Sequence, residues 1–145
     1  ALNFCFIRCP TGSAASMPTL HSAMRTVMQR YPDMAARLLA IIDDISILAQ
    51  IRNAVVLYFE LALILKELFG LELNLRKSSA LLVKMHMVVD PVTRLEPVYR
   101  QFPEFRSIPL VTAGAVVVGI PIGTRQFVED TVQKCLDECA AEFNT

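Results

Sequence analysis

Net charge is the first thing this sequence lacks. Fourteen Lys and Arg balance fourteen Asp and Glu over 145 residues, so no long-range attraction to a phosphate backbone is built into the chain as a whole. Any nucleic-acid role has to rest on local features. Glycine and proline are too few, at five and eight, for a low-complexity or disordered chain. No basic stretch followed by an apolar run and a small-residue cleavage site is visible at the start, so no signal peptide is read there and a piece of a longer protein is the better description. Long uncharged apolar runs are interrupted as well. Ser107 to Thr124 contains Pro109, Gly114, Gly119, Pro121 and Gly123, and Ala54 to Leu71 contains Glu60, Lys66 and Glu67, so neither supplies the ~20 apolar residues of a membrane span. Both are expected as buried core, with no membrane partner.

Cysteine is also scarce. The four present stand as Cys5/Cys9 and Cys135/Cys139, without a Cys-x-x-Cys knuckle, and His21 and His86 fall at no recognisable ligand spacing. Reduced, partly buried thiols are expected rather than a zinc site or a secreted disulfide scaffold. An intracellular setting, nuclear or cytoplasmic, is compatible with this, but the sequence does not decide the compartment.

What the chain does have is apolar residues, 54% of the total, enough for one domain with one core. Met17, Leu20, Met24, Val27 and Met28 recur at three and four residues, one face of a helix over Ser16 to Tyr31. Leu38 to Ile42 and Ile45 to Leu48 flank Asp43-Asp44, a strand-turn-strand with two carboxylates at its tip. Asn53 is placed to cap a helix through Leu57, Leu61, Leu65 and Phe69 that Gly70 ends. Leu71 to Leu75 and Ala80 to Val89 read as extended about a polar bend at Arg76 to Ser79. Asp90 to Pro109, with four prolines, reads as an irregular connection. Val111 to Ile122 gives a strand with a turn, and Thr124 caps a last helix whose stripe runs from Phe127 through Val128, Val132, Cys135, Leu136 and Cys139 to Phe143. The order predicts an α+β fold, an antiparallel sheet with helices packed on one face and the other face free.

Adjacent aspartates inside Ile41-Ile42-Asp43-Asp44-Ile45 are costly among apolar neighbours unless solvated or compensated. A turn favours Asp for local hydrogen bonds. Mg²⁺ is the other explanation, a hard cation that takes carboxylate and phosphate oxygens.

Leu38 to Leu48, centred on Asp43-Asp44, resembles the catalytic hairpin of reverse transcriptases, particularly those of non-LTR retrotransposons, with Ile41 at the position usually held by an aromatic residue. Gly70-Leu71-Glu72-Leu73-Asn74-Leu75-Arg76-Lys77-Ser78 is similar to the family segment G-L-x-L-N-x-x-K-S/T. Val116-Val117-Val118-Gly119-Ile120-Pro121-Ile122-Gly123 resembles the strand and turn that support the primer end. Cys9-Pro10-Thr11-Gly12-Ser13 looks like the entry to the template-contacting helix, with Ile7-Arg8 where Gln-Gly is usual. The segments occur in the family's order and cover most of the chain, with 90–109 as an unmatched insertion.

The resemblance implies a partial palm over residues 1–145 of an RNA-directed DNA polymerase, a nucleotidyltransferase that works by two-metal chemistry with Mg²⁺. Asp43 and Asp44 would be its metal carboxylates and Lys77 would support the leaving pyrophosphate. Gly12, Ser13, Gly119 and Gly123 would lie against nucleic acid. Partners would be an RNA or DNA template-primer, a dNTP and the polymerase segments that in the family flank the palm: fingers, the strand bearing the first catalytic Asp, and thumb. Residues 1–145 alone are expected to be inactive. The alternative is a non-catalytic interaction domain derived from a decayed retroelement palm.

Overall fold

Phe4–Pro10 (β1), Met17–Arg30 (α1), Arg37–Ile41 (β2), Asp44–Gln50 (β3), Ile51–Phe69 (α2) and Ser79–Leu82 (β4) alternate as β-α-β-β-α-β. They are followed by Pro91–Gln101 (α3), a 3₁₀ turn at Pro103–Ser107, Leu110–Val111 (β5), Gly114–Val117 (β6), Ile120–Gly123 (β7) and Arg125–Phe143 (α4). The computed structural model describes residues 4–10, 17–41, 44–82, 91–117 and 119–144. Five strands form one sheet in the order β2-β3-β1-β4-β5. All its pairs are antiparallel except β4 with β5. The first four strands thus make a split βαβ arrangement with β1 and β3 at the centre. The fold is α+β.

Alternation along the strands decides which face is covered. Cys5 pairs with Ala49 and Leu82, and Ile7 with Ile47 and Ala80. All six join Ile45 and Ala40 in a single core with Leu20, Ala23, Met24 and Val27 of α1 and Leu57, Tyr58, Leu61 and Leu65 of α2. Both helices therefore lie on the same face of the sheet. Leu95 and Tyr99 of α3 and Phe105 of the 3₁₀ turn extend that core. Each large side chain fully buried here contributes roughly 1.5–3 kcal/mol of transfer free energy. On the opposite face Leu39 and Leu48 remain 54% and 40% exposed.

Several sequence expectations need correction. No element is expected before Ser16, yet Phe4–Pro10 is a central strand paired on both sides. A short apolar run buried on one face and hydrogen-bonded at both edges gives no decisive period. The second helix starts at Ile51 with Gln50 as its cap and no side-chain capping bond, so Asn53 lies in the first turn. Leu71, Leu73 and Leu75 are half-buried against the core but form no strand, because the backbone turns at Asn74 instead of pairing. Ala80 to Val89 is extended over Ser79–Leu82, and residues 83–90 lie outside the described residues. Of the expected irregular connection Asp90 to Pro109, residues 91–101 and 103–107 are helical. Pro91 opens α3 at a position where its missing N–H has no helical partner, Pro97 removes one internal bond, and Pro103 starts the 3₁₀ turn.

Residues 112–144 are built separately from the main core. β6 and β7 form a two-stranded ribbon, and α4 packs on it through Phe127, whose ring occupies the space a Cβ on Gly114 would need. Thr124 caps α4 as expected, its Oγ1 accepting from the Phe127 N–H at 3.2 Å. The stripe expected to be buried is not: among the described residues α4 has none that is buried.

Candidate functional site

The β2–β3 connection is as tight as the sequence implies. Ile41 pairs with Asp44 across the hairpin, leaving residues 42–43 as the link, a length typical of close antiparallel strands. Asp44 is the first residue of β3, is half-buried and also pairs with Pro10 of β1. Asp43, Gly12 and Ser13 lie outside the described residues.

Lys77 is placed by a small hydrogen-bonded turn. Gly70 ends α2 in the left-handed region at φ 65° and ψ 18°, with its N–H donating to the Lys66 carbonyl and that of Leu71 to Leu65. The three leucines that follow anchor the segment on the core. Asn74 then closes it: its Oδ1 accepts from the Lys77 N–H at 3.2 Å, and its carbonyl accepts from the Ser78 N–H at 2.9 Å and the Ser78 hydroxyl at 2.8 Å. With the serine proton so used, the buried Tyr58 hydroxyl donates to Ser78 Oγ at 3.1 Å. The pattern Leu-Asn-x-x-Lys-Ser is therefore a self-contained turn that holds the Ser78 side chain inside and leaves Lys77 exposed.

Register connects this turn to Asp44. Arg8 pairs with Ser79, so the turn carrying Lys77 enters β4 at the end of β1 that bears Pro10, which itself pairs with Asp44. Asp44 and Lys77, 33 positions apart in sequence, emerge at the same end of the sheet with only β1 between them. Gly119 and Gly123 are not brought to this end by any described pairing. Gly119 takes φ 75° in the β6–β7 turn, and Gly123, at φ 153°, lies so close to Ala113 that a Cβ would overlap its carbonyl oxygen. Both glycines are accounted for by ribbon geometry.

The three described thiols fall into two environments. Cys5 is fully buried in the sheet core, and burial pushes its pKa up to about 12. Cys135 and Cys139 are exposed on α4. Among the described residues no three His, Cys, Asp or Glu side chains gather as a metal site, and no helix is long and apolar enough to cross a membrane. A cavity of about 310 Å³ between α2, the leucine segment and the 3₁₀ turn, lined by Phe59, Lys66, Glu72, Leu73 and Glu104, is one feature that the sequence patterns do not reveal, because its walls come from three separate segments. Comparison with family models, with curated proteins and with solved structures returns no match for this chain.

Proposed function

We propose that residues 1–145 are part of a reverse transcriptase palm, in which Asp43 and Asp44 hold Mg²⁺ for nucleotidyl transfer on a template-primer. The observation that carries this reading is the tight β2–β3 hairpin, in which Asp44 opens β3 directly after a two-residue link, together with the register that brings Lys77 to the same end of the sheet. The donor chemistry fits. Mg²⁺ is commonly bound through one or two carboxylates with substrate phosphates and water completing its shell, so a pair of aspartates is a sufficient protein donor set for this metal. Bound there, the ion would supply Lewis acidity toward the primer hydroxyl and the phosphoryl oxygens. Asp43 and Asp44 would hold it, with Asp44 fixed because β3 is paired on both edges. Lys77, exposed at the same sheet end, is suited to a pyrophosphate leaving group by charge. By the resemblance, Gly12, Ser13, Gly119 and Gly123 would lie against the nucleic-acid strand.

The test is primer extension on an RNA template with Mg²⁺, using the natural full-length chain that contains residues 1–145. Asp43→Asn and Asp44→Asn should each lower extension at least about a hundredfold, the loss of several kcal/mol of transition-state stabilisation. Extension that both variants retain would refute the metal assignment. A second reading, a non-catalytic interaction domain, is favoured by Ile41 at the usual aromatic position and by the uncovered apolar stripe of α4. It predicts no extension by wild type or variant.

A further inference from the structure

The cavity between α2, the leucine segment and the 3₁₀ turn has no part in the carboxylate site. Its volume of about 310 Å³ falls at the lower end of the ~300–1,000 Å³ of small-molecule pockets. Phe59, Ala62, Leu73 and Leu75, all half-buried, make an apolar wall over the fully buried Tyr58. Phe59 is fixed from two sides: Tyr58 meets it edge-on at 5.2 Å and 88°, and Phe102 stacks on it at 5.5 Å and 7°. Leu73 and Leu75 flank Asn74, whose hydrogen bonds to Lys77 and Ser78 close the turn. A wall held in this way is formed before any ligand arrives, so binding does not have to order it.

Charge at the rim says which ligand fits that wall. Lys66 and Glu72 face each other at 3.4 Å, so the ammonium is already engaged and the two charges cancel. Glu104, which also lines the cavity, has no ion-pair or hydrogen-bond partner among the described residues. Arg106, close to it in sequence, is committed to Glu96 at 3.4 Å and to the Tyr99 ring at 4.5 Å. One uncompensated carboxylate therefore stands beside an aromatic and aliphatic wall. An anion would be repelled by it, whereas a cation with an apolar body sets its ammonium against Glu104 and its body on Phe59, Leu73 and Leu75. We propose that this cavity binds a small organic cation, an amine whose charge sits at one end of an aromatic or aliphatic body. None of these residues belongs to the carboxylate site, so this pocket and the metal assignment stand or fall separately.

The experiment follows the amide NMR spectrum of the isotopically labelled chain during titration with tryptamine, with indolepropionate, which carries a carboxylate on the same indole-ethyl body, and with the neutral alcohol tryptophol. Saturable shifts are expected over residues 58–66, 72–75 and 102–105. Tryptamine should bind at least about fivefold tighter than indolepropionate, because the acid exchanges an ion pair for a repulsion. Glu104→Gln should bring the three ligands within about twofold of one another, since only the compensated Lys66–Glu72 pair is left at the rim. Ala62→Leu should abolish binding of all three by filling the space. Glu104 is exposed, so Glu104→Gln keeps the fold and decides the matter on its own if Ala62→Leu does not fold. Equal affinity for amine and acid, a preference that survives Glu104→Gln, shifts centred outside these three segments, or the absence of saturation each overturns the proposal.

Discussion

α2 and α4 are the same length, 19 residues each, and both carry an apolar stripe, yet eight residues of α2 are buried and none of α4 is. The contrast extends to the regions around them. Every buried apolar side chain among the described residues lies between Cys5 and Ile108. Residues 112–144 instead expose Val116, Ile120, Ile122, Val132, Leu136 and Phe143. α4 is held by local means: a Thr cap and the (i, i+4) pairs Arg125 with Glu129, Gln126 with Asp130, Gln133 with Asp137 and Lys134 with Glu138. Such pairs stabilise a helix by about 0.2–0.5 kcal/mol each, whereas α2 is held by burial, which is several times larger per residue. A stripe at helical spacing therefore reports that a face wants covering. It does not report whether the same chain covers it.

Truncating one leucine in each helix gives the largest expected effect. Leu61→Ala removes a fully buried side chain and should cost about 2–5 kcal/mol, depending on how far the site relaxes. Leu136→Ala should stay within about 0.5 kcal/mol, because its side chain is more than half exposed. Urea denaturation of both variants checks this. A comparable loss at Leu136 would mean that α4 packs on the core after all.

That contrast also explains what could be read from the sequence. The β2–β3 hairpin was legible because Asp43-Asp44 interrupts two short apolar runs, and the end of α2 because Gly70 follows the last turn. Both are local signals. β1 was not legible, since its placement between β3 and β4 depends on partners far along the chain. α3 was hidden because proline is usually read as a breaker, although Pro91 sits where the helix tolerates it. For the candidate site, the Asp-Asp pair and Lys77 were legible as motif residues. Their arrival at one sheet end was not, because only the register of Arg8 with Ser79 and of Pro10 with Asp44 shows it.

Cys5 offers a pH test of the same core. Its thiol has an ordinary pKa of 9.0 and is held near 12 by burial, so the folded state favours the protonated form. The resulting stability is fully present below pH 9 and is lost as pH rises from 9 toward 12, by up to about 1.4 kcal/mol per unit. Wild type should lose stability over this window more steeply than Cys5→Val, and comparison of the two removes the contribution of other groups that titrate there. Equal slopes would place Cys5 in contact with water. In the native protein at neutral pH, Cys135 and Cys139, exposed on α4, should react with a thiol reagent at once, while Cys5 should react only on unfolding.

The turn that carries Lys77 should show a smaller, more local effect. Ser78→Ala removes the acceptor of the buried Tyr58 hydroxyl and one of the bonds to Asn74, which should cost about 1–3 kcal/mol. If Tyr58 acts only through Ser78, Tyr58→Phe should cost less in the Ser78→Ala background than in wild type. Additive losses in this double-mutant cycle would show that the two hydroxyls are satisfied independently.

The smallest effect is expected at the start of α4. Thr124→Ala deletes the acceptor of the Phe127 N–H and should weaken the helix by about 1 kcal/mol. In α2, which has no side-chain cap at Gln50, burial sets the stability of the first turn. In α4 nothing buried compensates, so the loss should appear as faster amide hydrogen exchange confined to the first turns after Arg125, with global unfolding unchanged. Exchange that rises throughout residues 4–111 as well would join the two regions into one cooperative unit and erase the distinction between them.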